Sequence, residues 1–330
     1  MAEPGPAGPA EPAPGRSPSG RRAAVLGSPV GHSLSPVLHR AAYQALGLQG
    51  WSYTAIEVDE VGLPGMLDRV RTEPCWAGLS LTMPLKTAAV GLVDRPDESA
   101  VLVGALNTVV VEPDGVLAGY NTDIAGIRHA LLQVLAPARP AAHEALPAGS
   151  PRPSAPKPAL TAPPVRALVL GAGGTARAAV AALGTVGVRR VGVVARRAAA
   201  VEPLAEIGER LGLEVVGLPW EIVAGGLRHA VDLVVSTTPA GVTDQLAEWA
   251  WPAGCPLVEL LYHPWPTPLA VTAYRAGARV AGGMVVLAAQ AAGQVALHTG
   301  REVDVDVLLA AGTQALTRRG ATGALSPTNN

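Results

Sequence analysis

The stretch Val165-Arg-Ala-Leu-Val-Leu-Gly-Ala-Gly-Gly-Thr-Ala176 decides the fold of this chain. Its first six residues are the apolar run of a buried parallel strand, and the glycines after it match G-x-G-x-x-A at the start of an alanine-rich helix over 175–184. Glycine lets the backbone turn tightly and approach a pyrophosphate, at which the first N–H groups of the helix point. The stretch predicts a dinucleotide-binding Rossmann unit, the alternative being a glycine-rich turn without ligand. The expected cofactor-binding residues are Gly171, Ala172, Gly173, Gly174, Thr175 and Ala176.

The end of the next strand, Val191-Gly-Val-Val194, indicates which dinucleotide is bound. An NAD site places an acidic residue there to bind the ribose 2'-hydroxyl, but this chain has Ala195, Arg196 and Arg197. Guanidinium groups bind phosphate bidentately and stack on adenine, so these residues favour a 2'-phosphate. NADP(H) is the predicted cofactor, and solvated surface charge is the alternative explanation of the two arginines.

Strands and helices alternate on both sides of this stretch. Downstream strands at 213–216, 232–236 and 256–260 complete a doubly wound domain. Upstream, apolar strands at 23–27, 53–58 and 78–82 alternate with helical patterns at 36–46, 60–72 and 86–92, the first of these with Ser35 as N-cap and Pro36 at its first position. The prediction is an α/β fold: an N-terminal α/β substrate domain with a mostly parallel sheet, plus a doubly wound Rossmann domain.

Composition narrows the partner to a small molecule. A chain of 330 residues with 49% hydrophobic content can build two cores, and its formal net charge of -1 gives no case for nucleic acid or an anionic membrane. Cys75 and Cys255 form no CxxC pair, and no metal-ligand cluster is evident, so we expect idle thiols in the cytoplasm and no metal. No uninterrupted apolar segment is long enough to span a membrane.

Three polar clusters follow the upstream strands, where open α/β sheets build their sites: Gly31–Pro36, Gly78–Lys86, and Ala105–Thr108 together with Gly119–Asp123. A carbonyl that accepts hydride becomes an alkoxide and needs a proton donor within hydrogen-bond reach. Lys86 can supply that proton and a positive charge, and Asp123 would orient its ammonium group. Taken singly, either residue is more often a solvated surface charge.

In this order, ahead of the glycine-rich turn, the clusters closely resemble shikimate dehydrogenase, from about Ala23 to about Arg319. The resemblance implies reversible NADPH-dependent reduction of 3-dehydroshikimate to shikimate in the chorismate pathway of aromatic amino acid biosynthesis. It implies that Lys86 and Asp123 are catalytic. It assigns substrate carboxylate binding to Ser33 and Ser35. The remaining implied contacts are hydroxyl binding by Thr82, Asn107 and Gln290, a substrate contact for Tyr262, and close backbone approach to nicotinamide at Gly283.

Simpler roles exist for several of these residues. Ser35 can serve as a helix cap, Thr82 and Asn107 can satisfy turn backbone, and Tyr262 can be a packing residue. The chain also departs from the family pattern Asn-Val-Thr, because it has Ser80-Leu-Thr82, so that one amide hydrogen bond is lost or replaced by a hydroxyl. It keeps one arginine of Asn-Arg-Thr at Ala195–Arg197 and part of Gly-Leu-Gly-Met at Gly282–Val285.

The resemblance also predicts the domain division. Residues 1–22 are a disordered tail, 23–122 with 284–320 form the substrate-binding domain, 123–283 form the Rossmann domain with a Pro/Ala-rich insert at about 136–164, and 321–330 are a flexible tail. A monomer or a homodimer is expected. The alternative functions are an NAD-dependent quinate/shikimate dehydrogenase and a catalytically silent metabolite sensor of the same fold.

Overall fold

The computed structural model describes residues 20–136, 166–221, 231–248 and 250–323. These residues build two six-stranded sheets with helices packed on them, so the α/β prediction is confirmed. The predicted insert, apart from Ala136, and residues 1–19 and 324–330 of the predicted tails lie outside the described residues. Among the described residues no helix is long and apolar enough to cross a membrane.

The first sheet has the strand order β2-β1-β3-β5-β6-β4, and β5 is the strand that runs antiparallel to both of its neighbours. All six residues of β3 are buried, as expected for the centre of a sheet covered on both faces. The strands are β1 Arg22–Gly27, β2 Ser52–Glu57, β3 Trp76–Leu81, β4 Arg95–Pro96, β5 Thr108–Val111 and β6 Leu117–Tyr120. The helices between them are α1 Ser35–Ala45, α2 Leu63–Thr72, α3 Leu85–Ala88 and α4 Glu98–Val103.

The second sheet is fully parallel, in the order β12-β11-β10-β7-β8-β9. This is the doubly wound order. Strands β7, β8 and β9 succeed one another toward one edge of the sheet, and β10, β11 and β12 succeed one another toward the other edge. The order therefore switches between β7 and β10, and such sheets bind dinucleotides at that switch point. Its strands are β7 Arg166–Leu170, β8 Arg190–Val194, β9 Glu214–Leu218, β10 Leu233–Ser236, β11 Leu257–Glu259 and β12 Val280–Ala281. Its helices are α6 Gly174–Gly184, α7 Glu202–Leu211 and α8 Pro268–Arg275.

Three more helices join the sheets: α5 Asp123–Leu135, α9 Gly283–Thr299 and α10 Val305–Gly323. Helices α5 and α9 pack against each other, and α10 packs on α1 and α9. Valines and leucines of β7, β8, α5 and α9 share one buried core, so the two sheets are joined by apolar packing as well as by the chain.

Two boundaries differ from the predicted ones. Arg22, assigned to the tail, begins β1, because its charge pairs with Glu73 and its guanidinium carbon lies 4.1 Å from the centre of the Trp76 ring. Helix α10 continues to Gly323, beyond the predicted end at residue 320. The short strands β4, β5 and β6 were not predicted.

Candidate active site

A cavity of about 580 Å³ lies between the carboxyl ends of β1 and β3 on one side and the turn after β7 on the other. It brings together residues predicted for catalysis, for substrate and for cofactor. Those that line it are Ser33, Ser35, Thr82, Lys86, Asn107, Asp123, Thr175, Tyr262, Gly283 and Gln290.

The Lys86 and Asp123 side chains form an ion pair, with Nζ and Oδ2 2.6 Å apart. Lys86 lies on α3 with its side chain 27% exposed, and Asp123, the first residue of α5, has its side chain 10% exposed. The positive end of the α5 dipole stabilises a carboxylate at that position. A charged amine and its counterion therefore face one cavity, with enough access for a ligand to reach the amine.

Asn107 holds the Asp123 carboxylate from the other side. Its Nδ2 donates to Asp123 Oδ1 at 2.8 Å and to Gln290 Oε1 at 3.2 Å. Its Oδ1 accepts from the backbone N–H of Thr122 at 2.8 Å and from Thr108 Oγ1 at 2.9 Å, which fixes the amide orientation. Sequence reasoning missed Thr108 and Thr122, although the pair Asn-Thr recurs in both clusters.

Ser33, and not Ser35 as predicted, hydrogen-bonds the backbone at the start of α1. Leu34 occupies the N-cap position without a side-chain cap, and Ser35 is the first helical residue, so the predicted Ser35 cap is wrong. Instead Ser33 Oγ accepts from the Ser35 backbone N–H at 3.2 Å. Ser33 thus accepts from a backbone N–H that has no partner within the helix. The Ser35 hydroxyl makes no capping bond of this kind.

Tyr262 lies in the segment after β11. It is half-buried, and its burial raises the pKa of the phenol, so the phenol remains a hydrogen-bond donor at neutral pH. Arg319 of α10 opposes that shift in the Tyr262 pKa and donates to the His32 carbonyl at 2.8 Å. The guanidinium therefore lies near the carboxylate-binding loop predicted around Ser33.

The glycine turn fits a dinucleotide. Gly171 has φ +102°, and a Cβ there would lie 2.6 Å from Thr237 Oγ1, so a side chain is excluded. A Cβ on Gly173 or Gly174 would meet nothing within 4 Å, which leaves open space at the N-terminus of α6, where phosphate binds. Ala176 is fully buried and packs in the core beneath the turn, and Ala172 packs against that core.

Arg196 and Arg197 are exposed at the end of β8. Arg196, with Ala195, lines a second cavity of about 750 Å³ that Trp220 also lines. Both arginines thus follow the strand end at which this fold binds the ribose, and their contact with a 2'-phosphate remains a prediction.

Gly283 is required by packing. A Cβ on it would lie 2.2 Å from the Leu260 carbonyl oxygen, because α9 begins against the end of β11. The contact with nicotinamide remains a prediction.

Residues 25–109 match the family described as shikimate dehydrogenase substrate binding domain. The shikimate dehydrogenase (NADP(+)) of Geobacter metallireducens is 35% identical in an alignment of 285 residues that covers 84% of this chain and 91% of the relative. The chain belongs to the shikimate dehydrogenase family.

Solved structures of shikimate dehydrogenases agree in fold. The Mycobacterium tuberculosis enzyme has a TM-score of 0.72 at 37% identity, covering 89% of this chain and 99% of that one. The Thermus thermophilus enzyme in complex with NADP(H) and shikimate has a TM-score of 0.68 at 32% identity, covering 89% and 99%. The predicted family is confirmed.

Proposed function

We propose that this chain catalyses the reversible NADPH-dependent reduction of 3-dehydroshikimate to shikimate, with Lys86 as the general acid and base. The observation that carries the proposal is the 2.6 Å pair of Lys86 Nζ and Asp123 Oδ2 in one cavity with Thr175 of the cofactor turn. Family membership confirms the predicted enzyme class, an NADP-dependent oxidoreductase, and the predicted cofactor.

The glycine turn and the two arginines would hold the cofactor. The backbone N–H groups at the start of α6 face the open space at Gly173 and Gly174 and suit the pyrophosphate, and Arg196 and Arg197 suit the 2'-phosphate. Bound NADPH supplies hydride to the substrate carbonyl carbon.

Lys86 supplies the proton. As the carbonyl oxygen gains negative charge, the Lys86 ammonium donates a proton from Nζ to it, and in the reverse direction the neutral amine takes the proton from the hydroxyl. Asp123 accepts a hydrogen bond from Nζ and keeps the ammonium directed into the cavity. Asn107 fixes the Asp123 carboxylate in turn, so that the proton donor is oriented before substrate binds.

The remaining lining residues suit a polyhydroxylated carboxylic acid. Ser33 and Ser35 lie at the N-terminus of α1, where hydroxyls and the helix dipole stabilise a carboxylate. Thr82, Asn107 and Gln290 offer hydroxyl and amide groups to the ring hydroxyls. An analogue that lacks a hydroxyl would leave one of these groups unpaired, which is the basis for strong discrimination.

The test is a steady-state assay of the purified full chain that follows NADPH absorbance. We expect oxidation of NADPH by 3-dehydroshikimate and, in reverse, a higher kcat/KM for shikimate with NADP+ than for quinate or with NAD+. No turnover in either direction would favour the silent sensor, and a preference for quinate with NAD+ would favour the alternative dehydrogenase.

A further inference from the structure

A buried hydrogen-bond network lies beneath the cavity and is centred on Gln294 of α9, which is 2% exposed. Gln294 Nε2 donates to the Asn107 carbonyl at 3.3 Å and to Thr108 Oγ1 at 3.2 Å. Because a backbone carbonyl can only accept, these bonds fix which end of the amide is nitrogen. Gln294 Oε1 therefore faces the opposite way as an acceptor.

Two groups donate to that oxygen. Ser80 Oγ lies 3.0 Å from Gln294 Oε1, and His39 Nε2 lies 3.1 Å from it. Since the oxygen only accepts, His39 carries its proton on Nε2. Burial holds the pKa of His39 far below its usual value, at about 3, so the ring is neutral at working pH.

The hydrogen of the Ser80 hydroxyl is already used in a hydrogen bond to Gln294. The hydroxyl oxygen also accepts from the Tyr53 hydroxyl at 2.6 Å. Burial raises the pKa of Tyr53 well above its usual range, so Tyr53 remains a donor. A hydroxyl has one hydrogen and two lone pairs. What Ser80 can still offer to a ligand is one lone pair.

Ser80, which is 3% exposed, and Gln294 both line the cavity that holds Lys86 and Asp123. We propose that Gln294 is a specificity-determining residue that acts through Ser80: by taking the Ser80 hydrogen, it makes this part of the cavity an acceptor for one ring hydroxyl of the substrate and unable to donate. The proposal rests on the proposed function, since it concerns the same substrate. It also accounts for a serine at the position where the family pattern has an asparagine, whose amide could have donated.

Substrate analogues in which one non-reacting ring hydroxyl is replaced by fluorine test this directly. Fluorine is close to a hydroxyl in size but cannot donate, so an acceptor-only position is left unpaired against it. For the analogue fluorinated at the hydroxyl that meets Ser80, we expect wild-type kcat/KM to fall about tenfold or more below that of shikimate, from the cost of an unpaired buried acceptor.

Gln294→Leu removes the acceptor that fixes the Ser80 hydrogen, so that the hydroxyl can turn and donate to a ligand. We expect the ratio of kcat/KM between shikimate and that analogue to fall to about threefold or less, mostly through KM, with the cofactor KM unchanged. Ser80→Ala should lower the ratio in the same way and disturbs the core less, which keeps the test valid if Gln294→Leu does not fold. Gln314→Leu, an exposed glutamine of α10, is the matched control and should keep the wild-type ratio.

The outcomes separate this proposal from the proposed function. Wild-type turnover of shikimate with an unchanged ratio in Gln294→Leu and Ser80→Ala would overturn the role of Gln294 alone. Equal kcat/KM of wild type for shikimate and each fluorinated analogue would overturn the acceptor-only position. Absence of wild-type turnover with shikimate would overturn the proposed function and this proposal with it.

Discussion

The Lys86 amine carries the proposed proton transfer. Lys86→Ala removes the proton donor and the positive charge beside the developing alkoxide, so we expect kcat to fall about 100-fold or more while KM for shikimate changes little. Steady-state kinetics in both directions measure this. Near-normal kcat in the variant would remove Lys86 from the mechanism, and an unchanged melting temperature shows that the loss is not one of folding.

Arg196 and Arg197 are expected to set the preference for NADP+ over NAD+. Replacing both with Ala removes charge-assisted contacts worth about 1.5–3 kcal/mol, so NADP+ binding should weaken about tenfold or more. NAD+ binding should hardly change, because it has no 2'-phosphate for these side chains. Isothermal titration of both cofactors into wild type and variant gives the comparison. Equal losses for NADP+ and NAD+ would show that the arginines contact adenine or support the fold.

The site residues that could be predicted from the sequence are charged and polar side chains in clusters next to apolar segments. Lys86 follows the predicted strand β3, whereas Asp123 follows β6, which was not predicted, so the two residues were brought together by their polar clusters and the family resemblance. The Ser35 cap was wrong because Leu34 and Ser35 differ by one position, which pattern alone does not resolve. Gln294 was missed, although it lies four residues after Gln290 and hence on the same helical face.

The start of α9 requires a glycine at position 283. Gly283→Ala would place a Cβ 2.2 Å from the Leu260 carbonyl oxygen, a backbone atom that cannot rotate away. We expect a loss of about 1–3 kcal/mol in the free energy of unfolding. Gly65→Ala is the control, because a Cβ there in α2 meets nothing within 4 Å, and it should be neutral or stabilising. Urea denaturation of both variants decides, and equal stabilities would contradict the packing role.

The elements found from sequence are the long, strongly patterned ones. The buried strands β1, β3, β7 and β8 and the glycine-opened helix α6 follow from apolar runs and breakers. Strands β5 and β6, with four residues each, adjoin the polar clusters Asn107–Thr108 and Asn121–Asp123, so their apolar signal is short. Only their pairing with β3 and with each other in the folded sheet makes them strands.

Two buried histidines, His39 and His298, make the free energy of unfolding depend on pH in the acid range. Burial lowers the pKa of His39 to about 3 and that of His298 to about 4, from a usual value of 6.5. Both rings are neutral in the folded protein, whereas in the unfolded chain they take up protons below about pH 6.5. The free energy of unfolding is therefore unaffected by these two groups above about pH 6.5 and is lowered by them as the pH falls below that value. Burial of Glu259 acts in the opposite direction, because it raises that carboxyl's pKa from 4.5 to about 7.

Between about pH 6.5 and about pH 5, the loss of stability from the two histidines is larger than the gain from Glu259. We expect the free energy of unfolding to fall by about 1–2 kcal/mol between about pH 6.5 and about pH 5, measured by urea denaturation in one buffer of constant ionic strength. His32→Gln, at an exposed histidine, should leave this dependence unchanged. A stability that is flat or rises toward acid pH would contradict the burial of neutral rings at positions 39 and 298.

The chain passes between its two sheets through α5 and α9, which lie side by side, and both helices begin at the cavity, at Asp123 and Gly283. Lys86, Asn107 and Asp123 are linked to one another by hydrogen bonds. The acid–base groups of the proposed reaction are therefore held in place by the protein alone, whereas the cofactor turn belongs to the second sheet and reaches them only through α5, α9 and the core that these helices share.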